Sequence, residues 1–146
     1  QILNTVKKGV TPEEMMEFTT NANRAGLMIH ADLIVGLPGE TVDSIKQTIK
    51  WAKRLKVHSY QFMTPKVYEN TPLYEEIVRV GGTVKDGEVN YPHLSNEELK
   101  NWARIATRKC LLNPSFIKRL LVAPSEWTRI ASAAKNVLPY ILGWEG

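Results

Sequence analysis

The chain has 146 residues, of which 43% are hydrophobic and 23% are charged, so its composition is that of a globular protein and excludes wholesale disorder. Its net charge of +4 is mild, and its single cysteine excludes an intrachain disulfide and any metal site that needs several thiolates. No apolar run reaches the roughly 18 residues that a membrane span needs. These features predict a folded protein without a membrane span in a reducing compartment, the cytoplasm.

The first 82 residues alternate between helix signals and strand signals. Thr11, Pro12 and Glu14 have the residue types and the spacing of a helix N-terminus with a capping box. Apolar residues then recur at helical spacing, whereas two short stretches rich in β-branched and aromatic residues are typical of strands. The predicted elements are a helix over 12–25, a strand over 28–35, a helix over 42–55, a strand over 57–64, and a helix that Thr71-Pro72 opens and Gly81-Gly82 ends.

The remainder of the chain has a different character, with a tight-turn signal followed by further helix starts. The predicted elements are a small hairpin within 84–91, a helix that begins with a capping box at Ser95, a shorter helix from Pro114 to about 122, and a last helix from Ser125 to about 138. We therefore divide the chain into an α/β part over 1–82 and a helical extension over 83–146.

The order helix, strand, helix, strand, helix is typical of parallel βαβ units. We expect the strands near 28–35 and 58–64 to be adjacent and parallel, with the helix over 42–55 crossing between them. Two parallel strands do not make a finished sheet, because parallel sheets are covered on both faces and are rarely so small. The pattern therefore predicts a piece of a larger α/β protein, with exposed strand edges that favour self-association.

The turn Gly36-Leu37-Pro38-Gly39-Glu40-Thr41 joins the carboxyl end of the first predicted strand to a helix. Ligands of α/β proteins bind at this end of the strands, and the free N–H groups of a helix start can hold an anion. The glycine spacing is not that of the dinucleotide-binding fingerprint. Two interpretations stay open at this point, namely a ligand-binding turn and an ordinary strand-to-helix connection that Thr41 caps.

Alternation along the first predicted strand places His30, Asp32 and Ile34 on one face. Because buried parallel strands are usually apolar on both faces, two polar residues here indicate a face that lines a cavity. A His–Asp pair that merely satisfies its own hydrogen bonds would give the same pattern. The three histidines, His30, His58 and His93, lack the spacing of metal ligands, so we expect no metal site.

Two further features have simple interpretations. Five basic residues at helical spacing form either a solvated helix face or a nucleic-acid patch, and we favour the solvated face because no aromatic residues alternate with them. They are Lys46, Lys50, Lys53, Arg54 and Lys56. Cys110 falls on the apolar face of the helix that follows Ser95, so we expect a buried thiol with no base beside it.

Two linked motifs resemble the radical S-adenosylmethionine enzymes. The segment Ile34-Val35-Gly36-Leu37-Pro38-Gly39-Glu40-Thr41 is similar to the end of that family's fifth strand. Pro65 with Asn70-Thr71-Pro72-Leu73-Tyr74 is similar to the turn after its sixth strand, and Gln1-Ile2-Leu3-Asn4 looks like the start of the helix after its fourth. The resemblance covers residues 1 to about 80. It implies an α/β fold in which the two strands are the C-terminal part of a partial (βα)6 TIM-like barrel, followed by the helical extension.

The extension resembles that of the members that carry a cobalamin-binding domain, such as the anaerobic magnesium-protoporphyrin monomethyl ester cyclases. The similar residues are Leu94 to Leu99, Arg108 to Pro114, and Phe116-Ile117. That group usually has Phe-Tyr-Leu-Arg-Pro where this chain has Cys110-Leu111-Leu112-Asn113-Pro114, so it departs from the pattern there. The resemblance to this group implies cobalamin as a further cofactor. Because of the departure, it identifies no substrate.

For function, the resemblance implies part of an iron–sulfur oxidoreductase that cleaves S-adenosylmethionine and acts on a small-molecule substrate. The family's [4Fe–4S] cluster is held by a three-cysteine loop that this chain lacks, so the segment alone is expected to be inactive. The residues that match the family's cofactor-binding positions are Ile34, Gly36, Met63, Thr64 and Pro65. The alternative is a non-catalytic α/β module that binds a phosphate-bearing ligand or nucleic acid.

Overall fold

The structure is a computed structural model that describes residues 9–122, in which five helices and four strands alternate. The elements are α1 (Pro12–Arg24), β1 (His30–Ile34), α2 (Val42–Ala52), β2 (Ser59–Met63), α3 (Pro72–Arg79), β3 (Thr83–Lys85), β4 (Glu88–Asn90), α4 (Asn96–Leu111) and α5 (Pro114–Val122). The helix predicted from Ser125 and the helix start that the resemblance placed at Gln1-Ile2-Leu3-Asn4 lie outside the described residues. Every other predicted element is present, although both parallel strands are shorter than the sequence indicated.

The helix starts follow the predicted capping chemistry. Thr11 and Ser95 accept hydrogen bonds from the backbone three residues on, and the Glu14 and Glu98 carboxylates accept from the cap backbone in return. Thr41 forms the same kind of box at the start of α2, with a serine in place of the glutamate. Each box satisfies backbone N–H groups that a helix cannot satisfy by itself.

The two longer strands form a parallel pair in which His30 lies opposite Ser59 and Ile34 opposite Met63. Helix α2 lies between them in sequence, so the predicted parallel βαβ arrangement is confirmed. In the part of the chain that the structure describes, the parallel sheet has two strands, and a partial barrel is not confirmed. The fold is mixed α/β.

One face of this sheet forms the core. Tyr60 is fully buried, and its hydroxyl proton is shared between the carbonyl oxygens of Ala52, the last residue of α2, and Leu55. Helix α4 packs against β2, where the Thr107 hydroxyl accepts a hydrogen bond of 3.0 Å from the Phe62 backbone N–H. A helix side chain therefore satisfies the Phe62 N–H on the edge of β2 that faces away from β1.

Strands β3 and β4 form the predicted antiparallel hairpin. Asp86 and Gly87 both have positive φ, 52° and 79°, as the two central residues of a tight hairpin turn require. Buried residues on both sides of residue 82, among them Val35 and Val89, belong to one core. The division of the chain into 1–82 and 83–146 stays a prediction.

Two sequence expectations outside the sheet can be compared with the structure. Cys110 is fully buried, so its predicted burial is confirmed, and burial raises the pKa of its thiol to about 11. Each helix within residues 9–122 is too short or too polar to cross a membrane.

Candidate functional site

The carboxyl ends of β1 and β2 meet at the turn after β1. The ladder continues one residue past β1, since the Val35 N–H donates to the Met63 carbonyl oxygen at 2.9 Å. Val35 is fully buried, and the chain then reverses direction through Gly36, which has φ of 97°. That φ lies in a region that residues with a side chain rarely adopt, so glycine is required for the backbone geometry.

Gly36 is also a close packing contact with α4. A Cβ at Gly36 would lie 2.9 Å from Leu99 Cδ1 and 3.4 Å from Pro65 Cδ. Leu99 is fully buried in the core, so a Cβ at Gly36 would press on a packed side chain. The space beside Gly36 is therefore occupied by protein atoms, and the glycine allows the turn to pack against α4.

The backbone polar groups of Gly36 are engaged as well. Its N–H donates to Glu40 Oε2 at 3.4 Å, and its carbonyl oxygen accepts from the Tyr91 hydroxyl at 3.0 Å. The Ser44 hydroxyl donates to the other oxygen of the Glu40 carboxylate. The turn is thus held by hydrogen bonds to its own carboxylate, Glu40, and to Tyr91, which follows the hairpin.

Glu40 is 3% exposed, which is unusual for a carboxylate. Burial raises the pKa of Glu40, and the hydrogen bonds from Ser44 and from Gly36 lower it by less. Burial, together with the negative charge of Glu40, raises the pKa of the Tyr91 hydroxyl. The Gly36 N–H is already hydrogen-bonded to Glu40 and is therefore not free to hold a phosphate.

Sequence reasoning placed Glu40 in this turn but did not predict its burial, and it did not identify Tyr91 or His93 as neighbours of the turn. His93 Nε2 lies 2.9 Å from the Glu40 carbonyl oxygen, and the His93 ring stacks on Tyr91 with ring centroids 5.7 Å apart. These contacts join residues that are more than 50 positions apart in the sequence. A local pattern carries no signal for them.

The five residues predicted to bind a cofactor lie together at this end of the sheet but differ in accessibility. Ile34 is 45% exposed, Met63 and Thr64 are half-buried, and Gly36 and Pro65 are buried. Ile34 and Met63 are opposite each other in the parallel register. An accessible apolar pair therefore ends the sheet, and the buried Gly36 and Pro65 follow it two residues later along each chain segment.

The same face of the sheet continues away from this pair with polar residues. We call this surface, formed by His30, Asp32 and Ile34 of β1 and Ser59, Gln61 and Met63 of β2, the open face. His30 Nδ1 lies 2.6 Å from the Ser59 hydroxyl, and His30 Nε2 lies 3.0 Å from Asp32 Oδ1. The His30 and Asp32 side chains are 43% and 58% exposed.

No group of three or more metal-ligating residues occurs within the described range. On the basic helix face, Lys46 is paired with Asp43 at 3.1 Å, as expected for a solvated surface.

Comparison with known proteins gives one distant relative. The chain is 27% identical over 126 residues to an uncharacterized methyltransferase of Pyrococcus horikoshii, and the match covers 80% of the chain. The chain spans 28% of the length of that relative. No family model matches the chain, and no solved structure matches it.

These findings correct the main functional expectation. The matched protein is described as a methyltransferase, and no radical S-adenosylmethionine family is found, so the resemblance to that family and the predicted iron–sulfur oxidoreductase are wrong. The physical reason lies in the motifs themselves. Gly36 and Glu40 serve local packing, and Thr71 and Pro72 start a helix, so strand-to-helix turns of unrelated chemistry can use the same residues. The structure adds no support for a cluster or for cobalamin.

Proposed function

We propose that this chain is part of a methyltransferase that takes its methyl group from S-adenosylmethionine and transfers it to a small-molecule acceptor. The distant methyltransferase relative supports the reaction class. The observation that carries the proposal in this chain is the accessible apolar pair Ile34 and Met63 at the carboxyl ends of two parallel strands. Ligands of α/β proteins bind at this end of the sheet.

The residues present fit the adenosine part of S-adenosylmethionine. Adenine is flat and largely apolar on its faces, and Ile34 and Met63 offer a surface of matching character. Thr64, half-buried beside them, supplies a hydroxyl that can hydrogen-bond the purine edge or the ribose. Ligand sites of this kind combine an apolar surface with a few polar groups that fix orientation.

Gly36 and Pro65 have a different role in this proposal. Both are buried, and the backbone groups of Gly36 are used by Glu40 and Tyr91. They act as positioning residues, which hold the ends of the strands at a fixed separation without touching the ligand. When bound, S-adenosylmethionine supplies an electrophilic methyl group, and the contribution of these residues is to orient it.

Calorimetric titration of the protein with S-adenosylmethionine tests the proposal. We expect measurable binding to wild type and at least a tenfold loss of affinity in Ile34→Asp, because a carboxylate would replace the apolar contact with adenine. Phe18→Asp on α1 is the control, since Phe18 is also an exposed hydrophobic residue, at 63%. Helix α1 contacts the chain at Lys56, before β2 begins, and therefore lies at the opposite end of the sheet.

Absence of binding to the wild-type protein would refute the proposal. Equal affinities of Ile34→Asp and wild type would refute the assignment of Ile34 to the adenine contact. Circular dichroism of both variants establishes that they are folded.

A further inference from the structure

The three polar residues at the far end of the open face are arranged as a hydrogen-bonded chain across two strands. Ser59 contacts one nitrogen of the His30 ring, and Asp32 contacts the other. His30 and Ser59 are opposite each other in the register, and Asp32 follows two residues later on the same face. The imidazole is therefore fixed from both sides by neighbours that the sheet itself positions.

The neighbours also determine the direction of the hydrogen bonds when the imidazole is neutral. A carboxylate only accepts hydrogen bonds, so the proton of the neutral ring is on Nε2, which donates to Asp32. Nδ1 is then unprotonated and accepts a hydrogen bond from the Ser59 hydroxyl. A serine hydroxyl that donates to an imidazole held by a carboxylate is the geometry by which enzymes activate a hydroxyl. The Ser59–His30–Asp32 arrangement contributes little to the stability of the fold, because exposed hydrogen bonds are weakly stabilising.

We propose that Ser59, His30 and Asp32 form a proton relay that removes the proton of a hydroxyl-bearing ligand bound on the open face. The ligand's proton passes to Ser59 Oγ while the Ser59 proton passes to His30 Nδ1, and the resulting imidazolium is stabilised by Asp32. The ligand oxygen keeps its electron pair. Asp32 is a positioning residue here, since it acts through His30.

This inference rests in part on the proposed function, which it extends to the class of methyl acceptor. An alcohol or phenol must lose its proton when its oxygen bonds to the methyl carbon and the carbon–sulfur bond of S-adenosylmethionine breaks. The relay lies on the same face as Ile34 and Met63, so a small acceptor there shares the surface with the proposed adenine contact. His30 then releases the proton to water.

The relay is tested by the reactivity of Ser59 toward phenylmethylsulfonyl fluoride, with the labelled peptides mapped by mass spectrometry. In the labelling step the Ser59 oxygen bonds to sulfur, fluoride leaves and the proton passes to His30. We expect Ser59 to be labelled at least tenfold faster than the exposed Ser115, which serves as an internal reference. His30→Gln and Asp32→Asn should each reduce the Ser59 rate at least tenfold, and Asp32→Glu should restore part of it.

Asp43→Asn is the matched control, because Asp43 is an exposed carboxylate that pairs with a lysine on α2. It should leave the Ser59 rate unchanged. Labelling of Ser59 at the rate of Ser115, or at the same rate in all variants, would overturn the relay. Binding of S-adenosylmethionine is measured separately by calorimetry, so failure of the relay and failure of the proposed function give different results.

Discussion

Two glycines in the turn after β1 face different physical demands. Gly36 and Gly39 both have positive φ, 97° and 83°, so a side chain at either costs about 1 kcal/mol in backbone strain. A Cβ at Gly36 would also press on the buried Leu99, whereas a Cβ at Gly39 would have no atom within 4 Å. A comparison of alanine variants at the two positions therefore separates the cost of backbone strain from the cost of packing.

We expect Gly36→Ala to lower the free energy of unfolding by about 1–3 kcal/mol more than Gly39→Ala, which is the cost of overpacking a fixed core. Urea unfolding of the two variants and wild type gives this difference directly. Equal losses for both variants would show that Leu99 yields and that the glycine is needed for its φ alone.

Glu40 gives a prediction about pH. Because burial raises the pKa of Glu40 in the folded state above its ordinary value of 4.5, the folded protein binds the proton more tightly than the unfolded chain. The contribution of Glu40 to stability is therefore fully present below that value and is lost as the pH rises through the folded pKa. Wild type should lose more stability than Glu40→Gln between about pH 4.5 and neutrality.

Urea unfolding at several pH values gives the free energy of unfolding of wild type and of Glu40→Gln. Subtracting one pH curve from the other removes the contributions of other titrating groups. Parallel curves for wild type and Glu40→Gln would contradict the raised pKa.

At the scale of elements, helix α4 is joined to the sheet by a polar contact within an apolar interface. Thr107 is 5% exposed and accepts the backbone N–H of Phe62. We expect Thr107→Val to destabilise the protein by about 1–3 kcal/mol, since it keeps the shape of the side chain but leaves a buried N–H without an acceptor. Thr83→Val on the exposed strand β3 should change stability by less than about 0.5 kcal/mol.

Thermal unfolding followed by circular dichroism compares the two threonine variants. A similar loss in both would mean that the Phe62 N–H finds water and that the contact with α4 contributes little.

The elements were predictable where their signals are local. Capping residues such as Thr11 and Ser95, and the hairpin turn at Asp86-Gly87, act within three or four positions, so the sequence alone locates them. The strand ends were predicted too far out, because β1 ends where its partner ends and no residue of β1 by itself marks that point. Tertiary pairing determines the length of a strand.

For the whole molecule, the candidate site was predictable only in part. The sequence indicated the turn at Gly36 and the polar face of His30 and Asp32, because alternation along a strand is local. It did not indicate that Leu99 and Tyr91 occupy the neighbourhood of Gly36, since these contacts depend on how α4 and the hairpin pack. The reaction class was mistaken for the same reason, because residues with local structural roles were interpreted as a chemical signature.

The last prediction concerns association of the molecule with itself. Within residues 9–122, β1 pairs with β2 on one side, and no other strand pairs with its second edge. Ile34 adds an exposed apolar side chain at 45%. An unpaired edge beside an apolar surface is a template for pairing with another chain.

We expect concentration-dependent association in sedimentation experiments, and Ile34→Lys should reduce it, because lysine on an edge strand opposes such pairing. Val78→Lys on α3, where Val78 is 50% exposed, should leave association unchanged. A wild-type protein that stays monomeric at high concentration would show that the edge of β1 is protected.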